Sequence, residues 1–336
     1  MSSSEAQRSK SSRKFVWLAM FIVLLFGGYS LGWYWMAGKA RERVESFISH
    51  LNGNGRSAVC ENSRVAGFPF RLGLACDSVV YQDERNRIAI TAGGLRTAAQ
   101  IYQPLKTVAE LDGPLRIDAP GITPLFIEWD SLRASARLSR PLPSMVSLEA
   151  TGLSGISDPS DETDPVSFFS AEQAEAHFRP NGSDLDWAGS FRKLEIDPEA
   201  VGNRTLPILD GEGDATVKNG VALVHTRPTS LRGQSIEIRN LAMSSGDAKM
   251  TLSGPIAIDT RGLVDASLKL AMHNPAAVSK LFETAVPERA NEISQAFGAL
   301  GMLGDTPSVP IKIEKSKIKL DLIFGSITLG QLPPLE

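Results

Sequence analysis

Three hydrophobic patterns follow one another along the chain. From Phe15 to Gly38 no position is charged and most are apolar (FVWLAMFIVLLFGGYSLGWYWMAG). As a helix rising ~1.5 Å per residue, this run covers ~36 Å, enough for a hydrocarbon core of ~30 Å. Trp17 at one end and Trp33, Tyr34 and Trp35 at the other fit two interfacial aromatic belts. From Lys39 to Leu51 the spacing of Val44, Phe47, Ile48 and Leu51 continues the helix, and Asn52-Gly53-Asn54-Gly55 ends it. Beyond that point the period becomes two. Phe68, Phe70, Leu72, Leu74 and Cys76 alternate with Arg71 and Gly73, which predicts a strand with the phenylalanines in the core. Further alternating sets are Leu115/Ile117, Leu125/Ile127/Trp129, and Ile256/Ile258 running through Asp259-Thr260-Arg261-Gly262 into Val264, Ala266, Leu268, Leu270 and Met272. A last pair sets Ile311/Ile313 against Ile318, Leu320, Leu322 and Phe324. Asn181-Gly182 and Asn219-Gly220 are hairpin signals, the second joining Ala215/Val217 to Val221/Leu223.

Helical spacing returns once. Asn274 is placed to cap a helix with Pro275 at its first position, Ala276 to Ala285 follow, and Pro287 separates a second helix over Glu288–Leu300. The fold class is therefore mainly β with a few helices: one N-terminal membrane helix, then a large antiparallel domain built as a curved sheet or a sandwich. The expected organisation is a basic tail (1–14), an anchor (15–38), a juxtamembrane helix and linker (39–55) and a β-rich domain (56–336), with halves near 56–155 and 165–330. Gly113-Pro-Leu-Arg-Ile-Asp-Ala-Pro-Gly121 echoes Gly254-Pro-Ile-Ala-Ile-Asp-Thr-Arg-Gly262, so a duplicated β unit is one reading and shared turn chemistry the other.

Charge orients the anchor. Arg8, Lys10, Arg13 and Lys14 precede the apolar run with only Glu5 opposing them, which predicts a cytoplasmic N-terminus and an external domain. Lys39, Arg41 and Arg43 weaken the asymmetry, although Glu42 and Glu45 sit among them. A cleaved signal peptide is the rival reading, since Gly38-Lys39-Ala40 has small residues at cleavage spacing; the run is longer than the ~7–15 apolar residues such peptides carry. Cys60 and Cys76 are the two cysteines. Their spacing fits neither a C-x-x-C redox pair nor a four-ligand zinc site, so a structural disulfide is expected, with two buried thiols as the alternative.

Composition adds bounds more than chemistry. With 42% hydrophobic and 22% charged residues the chain can bury a large core, and a net charge of -3 gives no reason to expect nucleic acid. His50, His177, His225 and His273 are dispersed, no nucleophile-elbow, phosphate-loop or zinc-protease motif occurs, and Asp210-Gly-Glu-Gly-Asp214 reads as a turn. Asp158 to Asp164 is a solvated acidic loop lacking a calcium-binding pattern. No metal or cofactor is expected.

The sharpest local sequence is Cys60-Glu-Asn-Ser-Arg-Val-Ala-Gly-Phe-Pro-Phe-Arg-Leu-Gly-Leu-Ala-Cys76. A cysteine, then Gly67-Phe68-Pro69-Phe70-Arg71, then a second cysteine, shortly after a membrane helix, resembles the domain-of-unknown-function family numbered 2125. This is an uncharacterised family of alphaproteobacterial envelope proteins, and the resemblance runs over about Arg41 to Phe324. It implies a single-pass protein of the inner membrane with its domain in the periplasm, and it brings no catalytic residues. The β pattern from Met250 to Leu270 also resembles, more loosely, the strand–turn–strand units of AsmA-like envelope proteins, which are associated with lipids.

The functional expectation is binding or handling of lipid or another apolar ligand. Its candidate groove is lined by Val264, Ala266, Leu268, Leu270, Met272, Ile318, Leu320, Leu322 and Phe324, while Gly67–Arg71 serves mainly as structure. Arg71, on the opposite face from the phenylalanines, could instead meet a headgroup or partner. A structural or protein-interaction module without a groove is the second reading, and an unrecognised hydrolase the third.

Overall fold

The computed structural model of the chain describes residues 5–53, 55–158, 165–226, 230–302, 304–322 and 325–335. Helix α1 (Glu5–Leu51) is one unbroken element of 47 residues, or ~70 Å. Its segment Arg13–Leu51 is apolar enough and long enough to cross a membrane. Trp33 and Ala37 are buried, while Val44 and Ile48 are half-buried. These residues form a helical stripe towards the β domain, whereas Phe47 stays largely exposed.

The strands that follow form one antiparallel sheet. Its first ten segments are β1 (Arg56–Cys60), β2 (Arg64–Ala66), β3 (Arg71–Cys76), β4 (Val79–Asp83), β5 (Ile88–Ala92), β6 (Leu95–Gln100), β7 (Gln103–Leu111), β8 (Leu115–Asp118), β9 (Leu125–Glu128) and β10 (Ser131–Arg137). They act in consecutive pairs as long strands with a kink. Register shows this: Arg71↔Gln100 between β3 and β6 and Asp83↔Ile88 between β4 and β5 belong to one continuous hairpin alignment. Arg56↔Asp83 and Arg64↔Ala75 likewise belong to one alignment. At the kink between β5 and β6, Gly93 and Gly94 lie against Asp112, where a Cβ would come within 2.9 Å of that residue's atoms. Only glycine allows so close an approach.

From there the strands are mostly unbroken: β11 (Met145–Ser157), β12 (Ser167–Asn181), β13 (Asp184–Ile196), β14 (Leu209–Val217), β15 (Ser235–Ser245), β16 (Ala248–Ile258), β17 (Val264–His273), β18 (Ser308–Glu314), β19 (Lys317–Leu322) and β20 (Gly325–Gln331). Each pairs with its sequence neighbours, and β11 carries β10 along its first half and β9 along its second. The result is a curved, open meander whose order in space is its order in sequence.

Two expected hairpins test the turn rules. Asn181–Gly182 joins β12 to β13, with Gly182 at φ 63°. Asn219–Gly220 does not join two strands; it starts helix α2 (Gly220–Thr226), so Val221 and Leu223 are helical. Asp184 explains the difference: it accepts from Asn219 N (2.9 Å) and Lys218 Nζ (3.0 Å), holding Asn219 at φ 52° as the helix entry. Gly220 itself packs on Leu185, where a Cβ would come within 2.5 Å. The echoed segments agree in their turns, Gly121 and Gly262 both lying at φ 83°, but Gly254 sits inside β16 at φ 130° whereas Gly113 precedes β8.

Helix α3 (Pro275–Ala285) and helix α4 (Ala290–Gly301) form the expected pair, and Asn274 Oδ1 accepts from Ala277 N at 3.2 Å. Val278, fully buried, seats the pair on Ala248, Met272 and Val309, with Leu270, Leu281 and Phe297 around them.

Candidate functional site

The register of the meander sorts its side chains into two faces. One transverse row reads Ala109, Ala134, Leu148, Ala176, Gly189, Gly213, Leu241, Leu252, Leu270, Val309, each paired with the next. The row beside it, pointing to the other face, begins Glu110, Arg133, Glu149, Glu175, Ser190, Glu212. Alternation along every strand thus builds one apolar face that runs from β7 to β18 without a charge in that row.

Aromatic rings lie against this face where glycine makes room. A Cβ on Gly213 would meet the Trp187 ring at 2.6 Å, and one on Gly211 would meet the Phe191 ring at 2.3 Å. Parts of the face are open: Leu148, Leu241 and Met243 are 40%, 39% and 38% exposed. The row expected to line the groove is not the open part. Val264, Ala266, Leu268 and Met272 are buried and Leu270 is half-buried. Helix α3 covers Met272, and the C-terminal segment returns to this strand's other end, where Leu335 N donates to Gly262 O. Ile318 is half-buried; Leu320 and Leu322 lie in β19, and Phe324 falls outside the described residues.

The cysteines sit at disulfide distance, with Cα atoms 5.4 Å apart. They staple β1 to β3 beside the kink, and Cys76 is buried as its alternation implies. The phenylalanines depart from the expectation. β3 starts only at Arg71, so Phe68 and Phe70 belong to a turn and are 49% and 67% exposed instead of filling the core. Gly67 at φ 111° lies so close to Arg71 that a Cβ would fall 2.8 Å from its carbonyl oxygen. The turn docks on α1: Trp33 Nε1 donates to Arg71 O (3.0 Å), Tyr29 Oη donates to Pro69 O, and the Phe68 ring lies 5.3 Å edge-on to Trp33.

On the polar face, Asp186 is buried and accepts from Thr216 Oγ1 (2.7 Å), Arg179 Nη2 (3.0 Å) and Arg239 Nη1 (3.2 Å). Those hydrogen bonds, Thr216 first, hold its carboxyl down at about 2. Arg239 also pairs with Asp214, so the cluster is charge-balanced and ties β13, β14 and β15 together. His177 Nδ1 lies 2.9 Å from Ser147 Oγ and its Nε2 3.5 Å from Glu175; no three His, Cys, Asp or Glu among the described residues gather as a metal site. Asp158, at the start of the acidic loop, is buried and paired with Arg116 at 2.6 Å, and residues 159–164 lie outside the described residues.

The model of a bacterial family described as "Uncharacterized protein conserved in bacteria (DUF2125)" matches residues 33–335, which is nearly the whole chain beyond the apolar run. The chain belongs to this family. The match covers the cysteine pair, the Gly67–Arg71 turn and the apolar face alike, so in this DUF2125 member all three belong to the matched domain. No curated protein matches the chain.

Proposed function

We propose that this DUF2125 protein is a membrane-anchored holder of lipid chains. Helix α1 fixes it to the bilayer, and the apolar face between β10 and β16 receives the chains. The observation that carries the reading is the transverse row from Ala109 to Val309: apolar at every position, yet with Leu148 and Leu241 left open to solvent. A soluble face of that extent normally finds a cover, and ligand sites are apolar surfaces with a few polar groups at the rim. The basic residues before the apolar run of α1 and the cysteine pair support an inner-membrane address with the domain in the periplasm. We read the protein as a binder, with no catalytic step assigned. A protein-interaction module is the second reading, favoured by the covered row Val264–Met272. Placing the photoreactive p-benzoylphenylalanine at Leu241 in the full chain, in native membranes, separates the two. Lipid adducts at Leu241 and none at Lys249, on the polar face, are expected. Protein adducts alone at Leu241 would favour the module.

A further inference from the structure

The turns that close the sheet beside α1 share a composition. After Gly67–Phe70 come the β6–β7 turn, where Ile101 N donates to Phe70 O (3.1 Å), and the β10–β11 connection, where Leu138 N donates to Leu105 O (2.7 Å). The three are therefore neighbours along one rim. They expose Phe68, Phe70, Tyr102, Leu105, Leu138 and Met145, with Tyr102 at 70%. Residues 66–72, 99–107 and 135–147 contain no Asp or Glu but carry Arg71, Lys106, Arg137 and Arg140, all exposed and none in an ion pair with a described residue. At the sheet's opposite end the turns include Glu84–Arg87 and Gly246–Asp247.

The height of this rim is fixed by α1. Phe70 lies 6.5 Å from Tyr29 and Phe68 lies 5.3 Å from Trp33, and both partners belong to the charge-free run Phe15–Gly38. Tyr29 is nine positions inside the end of that run, or ~14 Å along the helix axis. An apolar cleft of about 700 Å³ opens between Leu24–Tyr29 and Phe68–Phe70. Apolar side chains with unpaired cations around them are what an interfacial membrane surface requires.

We propose that this rim is a second membrane-contact surface, resting on the same bilayer that α1 spans. Phe68 and Phe70 enter the leaflet on the domain's side, Tyr102, Leu105 and Leu138 sit at its boundary, and Arg71, Lys106, Arg137 and Arg140 engage anionic headgroups. Leu105 lies near the start of β7, where its pairing with β6 becomes irregular, and its exposed side chain adds to the apolar surface of the rim. The proposal rests on α1 spanning the membrane and not on lipid occupying the face.

The test uses the full chain in vesicles of phosphatidylcholine alone or mixed equally with phosphatidylglycerol. p-Benzoylphenylalanine at Tyr102 is expected to give phospholipid adducts several-fold above the same group at Arg85. Joint replacement of Arg71, Lys106, Arg137 and Arg140 by Gln is expected to lower the Tyr102 yield in the mixed vesicles to about that in phosphatidylcholine, with an unchanged melting curve as the check on folding. Equal yields at Tyr102 and Arg85, or adducts to protein in place of lipid, would overturn the proposal. A negative result at Leu241 combined with a positive one at Tyr102 would leave the rim standing and remove the lipid-holding face.

Discussion

Asp186 is a residue at which several strands of the polar face are tied together. Its carboxylate takes hydrogen bonds from Thr216, Arg179 and Arg239, which hold its pKa at about 2, below the ~3.9 of an unfolded chain. The stabilisation is thus complete above about pH 4 and is lost as pH falls from there through about 2. We expect Asp186→Asn to lower stability at neutral pH by about 1–3 kcal/mol, in the range of hydrogen bonds to a charged group. Its stability should also fall less than the wild type's between about pH 4 and 2, as denaturant titrations of the detergent-solubilised chain would record. An unchanged slope across that window would mean that Asp186 does not carry this dependence. Nothing in the sequence marks Asp186 or its partners, because they come from β12, β13, β14 and the bulge in β15 and meet only through register. Phe70 shows the opposite case. Its alternation with Leu72 was legible, but period two says which residues share a side and not where the strand begins. The turn lies against a helix apolar and long enough to span a membrane, so an exposed Phe70 suits its setting.

At the scale of elements, most of the secondary structure was readable because turn and cap chemistry is local. The helix pair, the β16–β17 and β18–β19 hairpins and the Asn181–Gly182 turn all stand where capping and turn residues put them. Asn219–Gly220 misled because a left-handed Asn serves a helix entry as well as a hairpin, and Asp184 selects between them from 35 positions away. The kinked pairs were not legible: the close approach that demands Gly93 and Gly94 is made by Asp112, at the neighbouring kink between β7 and β8. The staple beside the first kink joins Cys60 and Cys76 across a separation of 16 positions. In the chain-entropy model closing such a loop contributes ~3 kcal/mol. A Cys60→Ser/Cys76→Ser double variant should lose about that much in chemical denaturation, with its fold retained by circular dichroism. No loss would place the stabilisation of the first hairpin in its strand pairing alone.

For the whole molecule the decisive property is how unevenly one apolar face is covered. The alternation that marks the face was legible at Ile256/Ile258, Val264–Met272 and Ile311/Ile313 but not in β11 to β13 or β15, where Ala, Gly and Ser interrupt it. Which stretch is capped depends on where α3 and α4 land, and that is settled by Val278 meeting Ala248, Met272 and Val309 from three different strands. The consequence is a contrast between two sets of positions on the same face. Leu148, Leu241 and Met243 are exposed, so replacing each by Gln removes apolar surface without opening a cavity, and stability should move by no more than about 0.5 kcal/mol. Met272 is 4% exposed beneath the helices, and Met272→Ala should cost ~2–5 kcal/mol through the transfer and cavity effects of a large-to-small change. If the open stretch holds lipid chains, the triple Gln variant should retain several-fold less lipid on purification while melting as the wild type does. Met272→Ala should melt earlier yet keep its lipid at temperatures where it remains folded. Mass spectrometry of extracted lipid, normalised to protein and read beside the melting curves, makes the comparison. The background of lipid bound around α1 is common to all the variants and cancels between them. Equal lipid in the triple variant and the wild type would mean that the open stretch does not hold it, and the apolar face would then have to be covered by a protein partner.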